Sequence, residues 1–399
     1  MQTTKSYKFT PLLYCLANGF FYAAMAAIAA YTTVYLSGKG VPDSITAAVV
    51  SFSALISNLA TLVMSNLLDK HPKLLSKHMA TFTTGVSAVS AVIAVLFDEN
   101  PTILIIFFTI AFIFEKATIS TMSTVSVKSN VHITYAVPRG IGSATYAIVC
   151  LIAGFLTAKF GSDIVMLLFI PLMAITSLSI ALMPEDHIYV EPKKDENKSS
   201  YFTMVKNNRP LLLFLIATFF IGVGNSCSMT FLIRIIQDCG GDSSNLGVAT
   251  FIQAMAEVPM TILMVRLIKK YKFEDLLVVS FIMYAVRLFS VGSSQSIPML
   301  YCAVALNFFC VGIYSTSSVR FAKLIVQPDE SARSQALLNF FSGTGMGTFA
   351  GAALQVVLID LIGPRGIFLF CAGVSFLGFL TMLPCRKAIK KVGYANPDF

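Results

Sequence analysis

Apolar residues occupy 56% of the 399 positions and charged residues only 12%, about half the charged share of a soluble globular protein. That leaves too few charges to coat several soluble domains, so lipid is the expected solvent. The formal charge of +9 would suit a nucleic acid only if the basic residues gathered on one soluble face, and they are spread over short loops instead.

The first apolar stretch, 10–36, follows Lys5 and Lys8. It is too long for the hydrophobic core of a signal peptide and is read as the first spanning helix. Breaks at charged or Gly/Pro-rich points then place spans at 43–68, 77–97, 102–127, 139–160 and 163–183. A second set follows at 210–236, 244–268, 274–294, 297–319, 333–360 and 366–384. Each is near the ~20 residues that a hydrocarbon core requires. Between the two sets, the hydrophilic stretch 184–209 carries Pro192-Lys193-Lys194-Asp195-Glu196 and reads as a cytoplasmic linker. The expected fold is an all-α membrane protein of twelve transmembrane helices, with an N-terminal six-helix bundle at 1–183 and a C-terminal one at 210–399.

Charge placement sets the expected orientation. Of the 29 Lys and Arg, Lys116 and Arg287 fall inside spans, and Lys39, Lys159, Arg234 and Arg365 fall in the odd-numbered loops. The other 23 lie in the termini and even-numbered loops, which puts both ends in the cytoplasm of a cell whose cytoplasmic membrane the chain crosses. Six of the eight cysteines lie in apolar runs with no metal-ligand spacing and read as small packing residues. The spans also hold a weak internal repeat: Arg139-Gly140-Ile141-Gly142-Ser143 opens the fifth, and Arg333-Ser334-Gln335-Ala336-Leu337 opens the eleventh. Asp69-Lys70 and Lys269-Lys270 each follow the second span of their half. Two parallel halves around a central solute site are a recurring transporter plan.

Charged side chains are costly in a bilayer and face a cavity or a partner. Glu257 stands midway along the eighth span, one turn beyond Gln253, and is the first candidate for accepting solute hydroxyls or a proton. Arg287, in the ninth, is read as its partner or as a coupling element, and a purely structural ion pair is the bland alternative. Glu115 and Lys116 are adjacent, so a helix turns them about 100° apart; one faces a cavity and the other a neighbouring helix. Asn18, Tyr22, Asn225, Ser228 and Asn307 place amides and hydroxyls where a hydroxyl-rich solute could use them, although each could equally bond another helix. Gly343, Gly347 and Gly351 form a close-packing stripe.

At Asp69-Lys70, Tyr135-Ala136-Val137-Pro138-Arg139-Gly140-Ile141-Gly142-Ser143, Ala256-Glu257-Val258-Pro259 and Ala332-Arg333-Ser334-Gln335-Ala336-Leu337, the sequence resembles the major facilitator superfamily. The resemblance covers essentially the whole chain and points to the lactose-permease-like branch of proton symporters. It implies a cavity lined by the first, fourth, seventh and tenth helices. It also implies substrate-binding roles for Arg139 and Glu257, and gating by Asp69 and Lys70. Two departures stand out. The acid expected 18 positions before Arg139 is Thr121, and the His and Glu used for proton coupling in the tenth helix are matched by Asn307 and Cys310.

The expectation is a monomeric, proton-coupled carrier of a saccharide, nucleoside or similar solute. Its partners are that solute, protons and the bilayer, with no nucleic acid, cofactor, metal or enzymatic step. An exporter, an uncoupled facilitator and a transport-dead sensor are the alternatives.

Overall fold

The computed structural model describes all residues except 1–9, 71–75, 129–135, 184–200, 328–329, 343–344 and 396–399. Secondary structure among the described residues is helical. The helices are α1 (Thr10–Gly38), α2 (Asp43–Lys70), α3 (Ser76–Leu96), α4 (Pro101–Lys128), α5 (Ala136–Phe160), α6 (Ile164–Ala181), α7 (Tyr201–Asn207) and α8 (Arg209–Thr230). They continue with α9 (Leu232–Asp238), α10 (Ser243–Lys270), α11 (Phe273–Gly292), α12 (Ile297–Ala305), α13 (Asn307–Leu324), α14 (Ser331–Phe341) and α15 (Met346–Val392).

Among the described residues, eleven helical stretches are long and apolar enough to cross a membrane. The last, Arg333–Lys391, has 59 residues and is far too long for one crossing. It turns at Gly363, whose φ of 66° lies in the left-handed region that favours glycine. The packing of α15 on α8 fixes the direction of its two arms. Gly347 meets Gly222 and Gly351 meets Val223, whereas Gly378 meets Ala217 and Gly224 meets Cys371 and Ser375. The first arm therefore ascends α8 while the second descends it, and the stretch is two antiparallel spans. The pattern of twelve spans follows, with the seventh, tenth and eleventh each divided into two helices.

By its contacts the chain divides into two compact units, Met1–Val41 with Leu55–Lys194 and Pro42–Ala54 with Asp195–Phe399. The first part of α2 thus groups with the second unit. There Arg234 grips Asp43 through two parallel hydrogen bonds, Nε to Oδ2 at 2.8 Å and Nη2 to Oδ1 at 2.6 Å. Such two-point pairing is the geometry guanidinium and carboxylate prefer.

In each unit one cation draws three loops together. In the first, Lys39 of the α1–α2 loop reaches Asp98 of the α3–α4 loop at 2.5 Å and Asp163 of the α5–α6 loop at 2.7 Å. In the second, Arg365 donates to Asp238 at the end of α9 (3.1 Å) and to the carbonyls of Gly292, the last residue of α11, and of Ser294 just beyond it (3.3 and 2.6 Å). Three of the four basic residues in odd-numbered loops are therefore matched by carboxylates, which offsets their charge on the side where basic residues are rare.

Candidate functional site

The second unit gathers six of the polar residues singled out above. Arg287 of α11 is only 2% exposed. Its Nη1 donates to Asn307 Oδ1 at 2.8 Å, and its Nη2 donates to Asn225 Oδ1 and, at 3.0 Å, to Ser228 Oγ. The Asn307 amide then donates to Glu257 Oε1 at 2.9 Å and to the Gln253 carbonyl at 3.1 Å. Arg287 and Glu257 are thus linked through the neutral amide of Asn307. The guanidinium also lies 5.8 Å from the Tyr284 ring centroid. A buried guanidinium surrounded by three neutral acceptors keeps its charge solvated, and the carboxylate one residue further on balances it.

Local backbone structure sets this array up. The seventh span bends between α8 and α9 at Phe231 (φ −117°, ψ 7°), three residues beyond Ser228. The tenth loosens between α12 and α13 at Leu306, whose amide reaches back only three residues to Ala303 (3.3 Å), and Asn307 follows immediately. Irregular backbone within a span is tolerated where it is buried in protein or lines a cavity. Gly312 of α13 allows close approach to α10, because a β-carbon there would stand 2.7 Å from Met260 Cβ, one turn beyond Glu257. Asp242 starts α10 with a capping box: its side chain accepts from the Asn245 amide while the Asn245 side chain accepts from the Asp242 amide. Glu257, Gln253, Asn225 and Ser228 are half-buried and Arg287 and Asn307 are buried, so the charge sits behind a more accessible layer of amides and hydroxyl.

The first unit holds Asn18, Tyr22, Glu115, Lys116 and Arg139. Arg139 is exposed, and its guanidinium carbon lies 4.5 Å from the centroid of the Tyr22 ring, a cation–π arrangement. The glycine at 142 makes this possible, since a β-carbon there would fall 2.3 Å from Tyr22 Cδ2. One turn along, Thr145 Oγ1 donates to the Gly19 carbonyl at 2.9 Å. The Gly-x-Gly-Ser stretch therefore seats Tyr22 beneath Arg139. Asn18 is buried and donates to the Tyr14 carbonyl of its own helix at 2.9 Å.

Glu115 is 1% exposed, and its Oε1 has no hydrogen-bond partner among the described residues. It shares a face of α4 with Thr118, whose hydroxyl bonds Thr83 of α3 at 3.0 Å. Lys116 is half-buried, with its ammonium 4.4 Å from the Phe112 ring centroid. The adjacent pair thus diverges as helical geometry requires, and the carboxylate is the deeper of the two. Thr121, which stands where the resemblance would place an acid, is buried and donates to the Thr118 carbonyl at 3.0 Å. Asp69 and Lys70 close α2, but their side chains, like Gly343, lie outside the described residues.

Sequence reasoning missed further long-range bonds, including Gln355 Nε2 to Ser226 Oγ at 2.6 Å and Asn245 Nδ2 to Tyr301 Oη at 3.0 Å. Their partners are 129 and 56 residues apart, and no short-range pattern marks them.

Apolar spans in both units, with a charged, amide-lined cluster inside the second, define a polytopic helical membrane protein. The sequence profile of the MFS_1-like family matches residues 16–370, and the chain belongs to that family. It is 21% identical over 186 residues to the maltose permease of Geobacillus stearothermophilus, an alignment covering 47% of each chain. It is 23% identical over 193 residues to the uncharacterized transporter YwbF of Bacillus subtilis (strain 168), again covering 47% of each. The alignments thus span about half the length of the curated relatives matched. Among solved structures, the nucleoside transporter NupG superposes with a TM-score of 0.77 at 14% identity, covering 95% of this chain and 99% of that one. A POT family transporter in complex with 5-aminolevulinic acid superposes at 0.71 with 12% identity, covering 95% and 96%. At such identities the structural likeness establishes the fold alone.

Proposed function

We propose that the protein is a proton-coupled symporter that carries a hydroxyl-rich solute, a saccharide or nucleoside, across the cytoplasmic membrane by alternating access. It acts as a monomer with both termini in the cytoplasm. The observation that carries this reading is the chain of hydrogen bonds from Arg287 through Asn307 to Glu257. Amides and hydroxyls both donate and accept, so a solute with several hydroxyl groups can exchange bonds with Asn225, Ser228, Gln253 and Asn307. Glu257 accepts a solute hydroxyl or takes the coupled proton, and Glu115 is the second proton candidate. Arg139 and Tyr22 offer a donor and an aromatic face in the first unit, with Lys116 and Asn18 as further contacts. Asp69 and Lys70 are proposed to gate the cytoplasmic end. The relatives named for maltose and for nucleosides favour this solute class.

The test is uptake of labelled saccharides and nucleosides into proteoliposomes, with external pH recorded. Glu257→Gln should abolish uptake while the purified protein stays folded, and normal transport by that variant would remove Glu257 from the mechanism. A second reading, an exporter or uncoupled facilitator, rests on the neutral bridge at Asn307, where a titrating group would be expected in a lactose-permease-like symporter. Uptake without alkalinisation would establish it over the coupled reading. Saturable binding without any flux would indicate a sensor.

A further inference from the structure

Two adjacent charges, Glu115 and Lys116, stand in the middle of α4 and meet different surroundings. Lys116 lies fifteen residues beyond Pro101 and twelve before Lys128, too deep for its stem to carry the ammonium to either end of the helix. The ammonium folds back over the ring of Phe112, which is itself only 2% exposed, so the charge is held against the packed side of α4. An ammonium has three hydrogens to donate, and a ring face attracts it from one direction only. Among the described residues it makes no hydrogen bond and no ion pair, with Glu115 or any other carboxylate.

The hydroxyls on the α3–α4 seam either side of Glu115 have spent their hydrogens. Ser87 donates to the Ala111 carbonyl at 2.7 Å, Thr118 to the Phe114 carbonyl at 2.7 Å and Thr83 to the Ala80 carbonyl at 3.0 Å. A hydroxyl has one hydrogen and two lone pairs. The seam therefore offers acceptors and no donors, which a protonated carboxyl can use and a carboxylate cannot. The other elements packed on this stretch bring no further charge to it among the described residues. Helix α1 places Tyr14 at the Met122 carbonyl and Tyr35 on Phe108, each seven residues from Glu115, and α2 packs there through Ala60 and Met64. Lys116 is the charge whose field reaches Glu115.

We propose that Lys116 takes the carboxylate of an acidic, hydroxyl-rich solute, a sugar acid, while Glu115 takes the coupled proton. This deepens the carrier reading and rests on it. Without solute the pair is one carboxylate and one ammonium. Loaded, it is a neutral carboxyl, an ammonium and the carboxylate of the solute. Both forms are neutral, so the first unit keeps no net charge at the centre of the bilayer in either. A phosphate, which carries about −1.5 to −2 near neutral pH, would exceed what one ammonium balances.

The experiment compares how matched acid and neutral sugars stabilise the purified full chain against heat. The pairs are glucuronate with glucose, galacturonate with galactose, and maltobionate with maltose, at about pH 5.5 and about pH 8.5, either side of the range in which buried carboxyls titrate. At the lower pH at least one acid should bind about tenfold more tightly than its neutral partner, the effect of a hydrogen bond to a charged group. The ratio should fall at the higher pH. Lys116→Gln should bring it close to one, and Lys116→Arg should preserve it, which keeps the test open if the glutamine variant folds poorly. Glu115→Gln should hold the ratio at its low-pH value throughout, and comparison within a pair cancels what Glu257 does to the shared hydroxyls. A wild-type ratio near one, or no stabilisation by any of the acids, would overturn the proposal. So would a Glu115→Gln ratio that follows pH as the wild type does, or a preference lost in Arg139→Gln and kept in Lys116→Gln. Uptake of a neutral sugar into proteoliposomes together with a ratio of one would sink the acid site and leave the carrier reading standing. Acid binding at Lys116 without flux of any solute would support the acid site and remove the carrier reading.

Discussion

Replacing Asn307 by leucine, which keeps the side-chain volume and removes the amide, should destabilise the protein by about 2–4 kcal/mol. The figure comes from deciding which lost bond matters. Hydrogen bonds to charged groups contribute ~1.5–3 kcal/mol, whereas bonds between transmembrane side chains average ~0.6 kcal/mol. Arg287 is 2% exposed and its Nε already has no hydrogen-bond partner among the described residues, so water cannot replace the lost acceptor and the larger value applies there. Glu257 is half-buried and can be rehydrated, so the smaller value applies to its share. Equilibrium unfolding in mixed micelles measures the total, and a double-mutant cycle of Asn307→Leu with Arg287→Met isolates the bond to the guanidinium. A loss below about 0.5 kcal/mol, or strict additivity in the cycle, would show that the amide does not hold the buried charge.

Three further outcomes follow from the same structure. Burial alone would lower the Lys39 ammonium, but its hydrogen bonds to Asp163 and Asp98 outweigh burial and hold it above its ordinary 10.5. The Lys39 hydrogen bond holds Asp98 below its ordinary 3.8. The Asp98 contribution is lost as pH falls through its depressed folded value, and the Lys39 contribution is lost as pH rises through its raised one. Thermal unfolding should therefore separate wild type from Lys39→Gln by a constant margin between pH 3.8 and 10.5, with the margin shrinking outside that window. Gly142→Val should cost about 1–3 kcal/mol by forcing the Tyr22 ring away, and it should also weaken solute binding more than Asn18→Ala does, as read by thermal shift with the transported solute. Asp242→Ala should cost ~1 kcal/mol through loss of the α10 cap. Because hydrogen bonds from the Ser244 hydroxyl and the Asn245 and Ser244 amides lower the Asp242 carboxyl, this cost should vanish as pH falls through its depressed value.

The positions of the spans were legible because an apolar run of membrane length has few other readings. The interruptions were not. Pro171 and Pro259 stand inside continuous helices, while the seventh and tenth spans yield at Phe231 and Leu306, residues that carry no breaker signal. Tertiary packing, not local propensity, selects those points. In the site, the association of Arg287 with Glu257 could be inferred because a buried guanidinium must be compensated. That Asn307 would mediate it could not, because an amide's choice between solute and neighbour depends on the register of three helices. Asn18 carried a cavity-lining expectation, and nothing in the sequence signalled that its amide also donates to the Tyr14 carbonyl one turn back. The glycine at 142 was visible as part of a motif, but its reason, the space taken by Tyr22, belongs to a helix more than a hundred residues earlier in sequence.

The loop-gathering cations have a consequence for how the two halves of the chain relate in sequence. One half uses a lysine that follows its first span, and the other an arginine that precedes its last. Both bring three hairpin ends to a single positive centre, yet the residues occupy opposite ends of their respective halves. Superimposing one repeat on the other by sequence would never align them. Each half has its own fastening, and a substitution tolerated at one of these sites says nothing about the position that corresponds to it in the other.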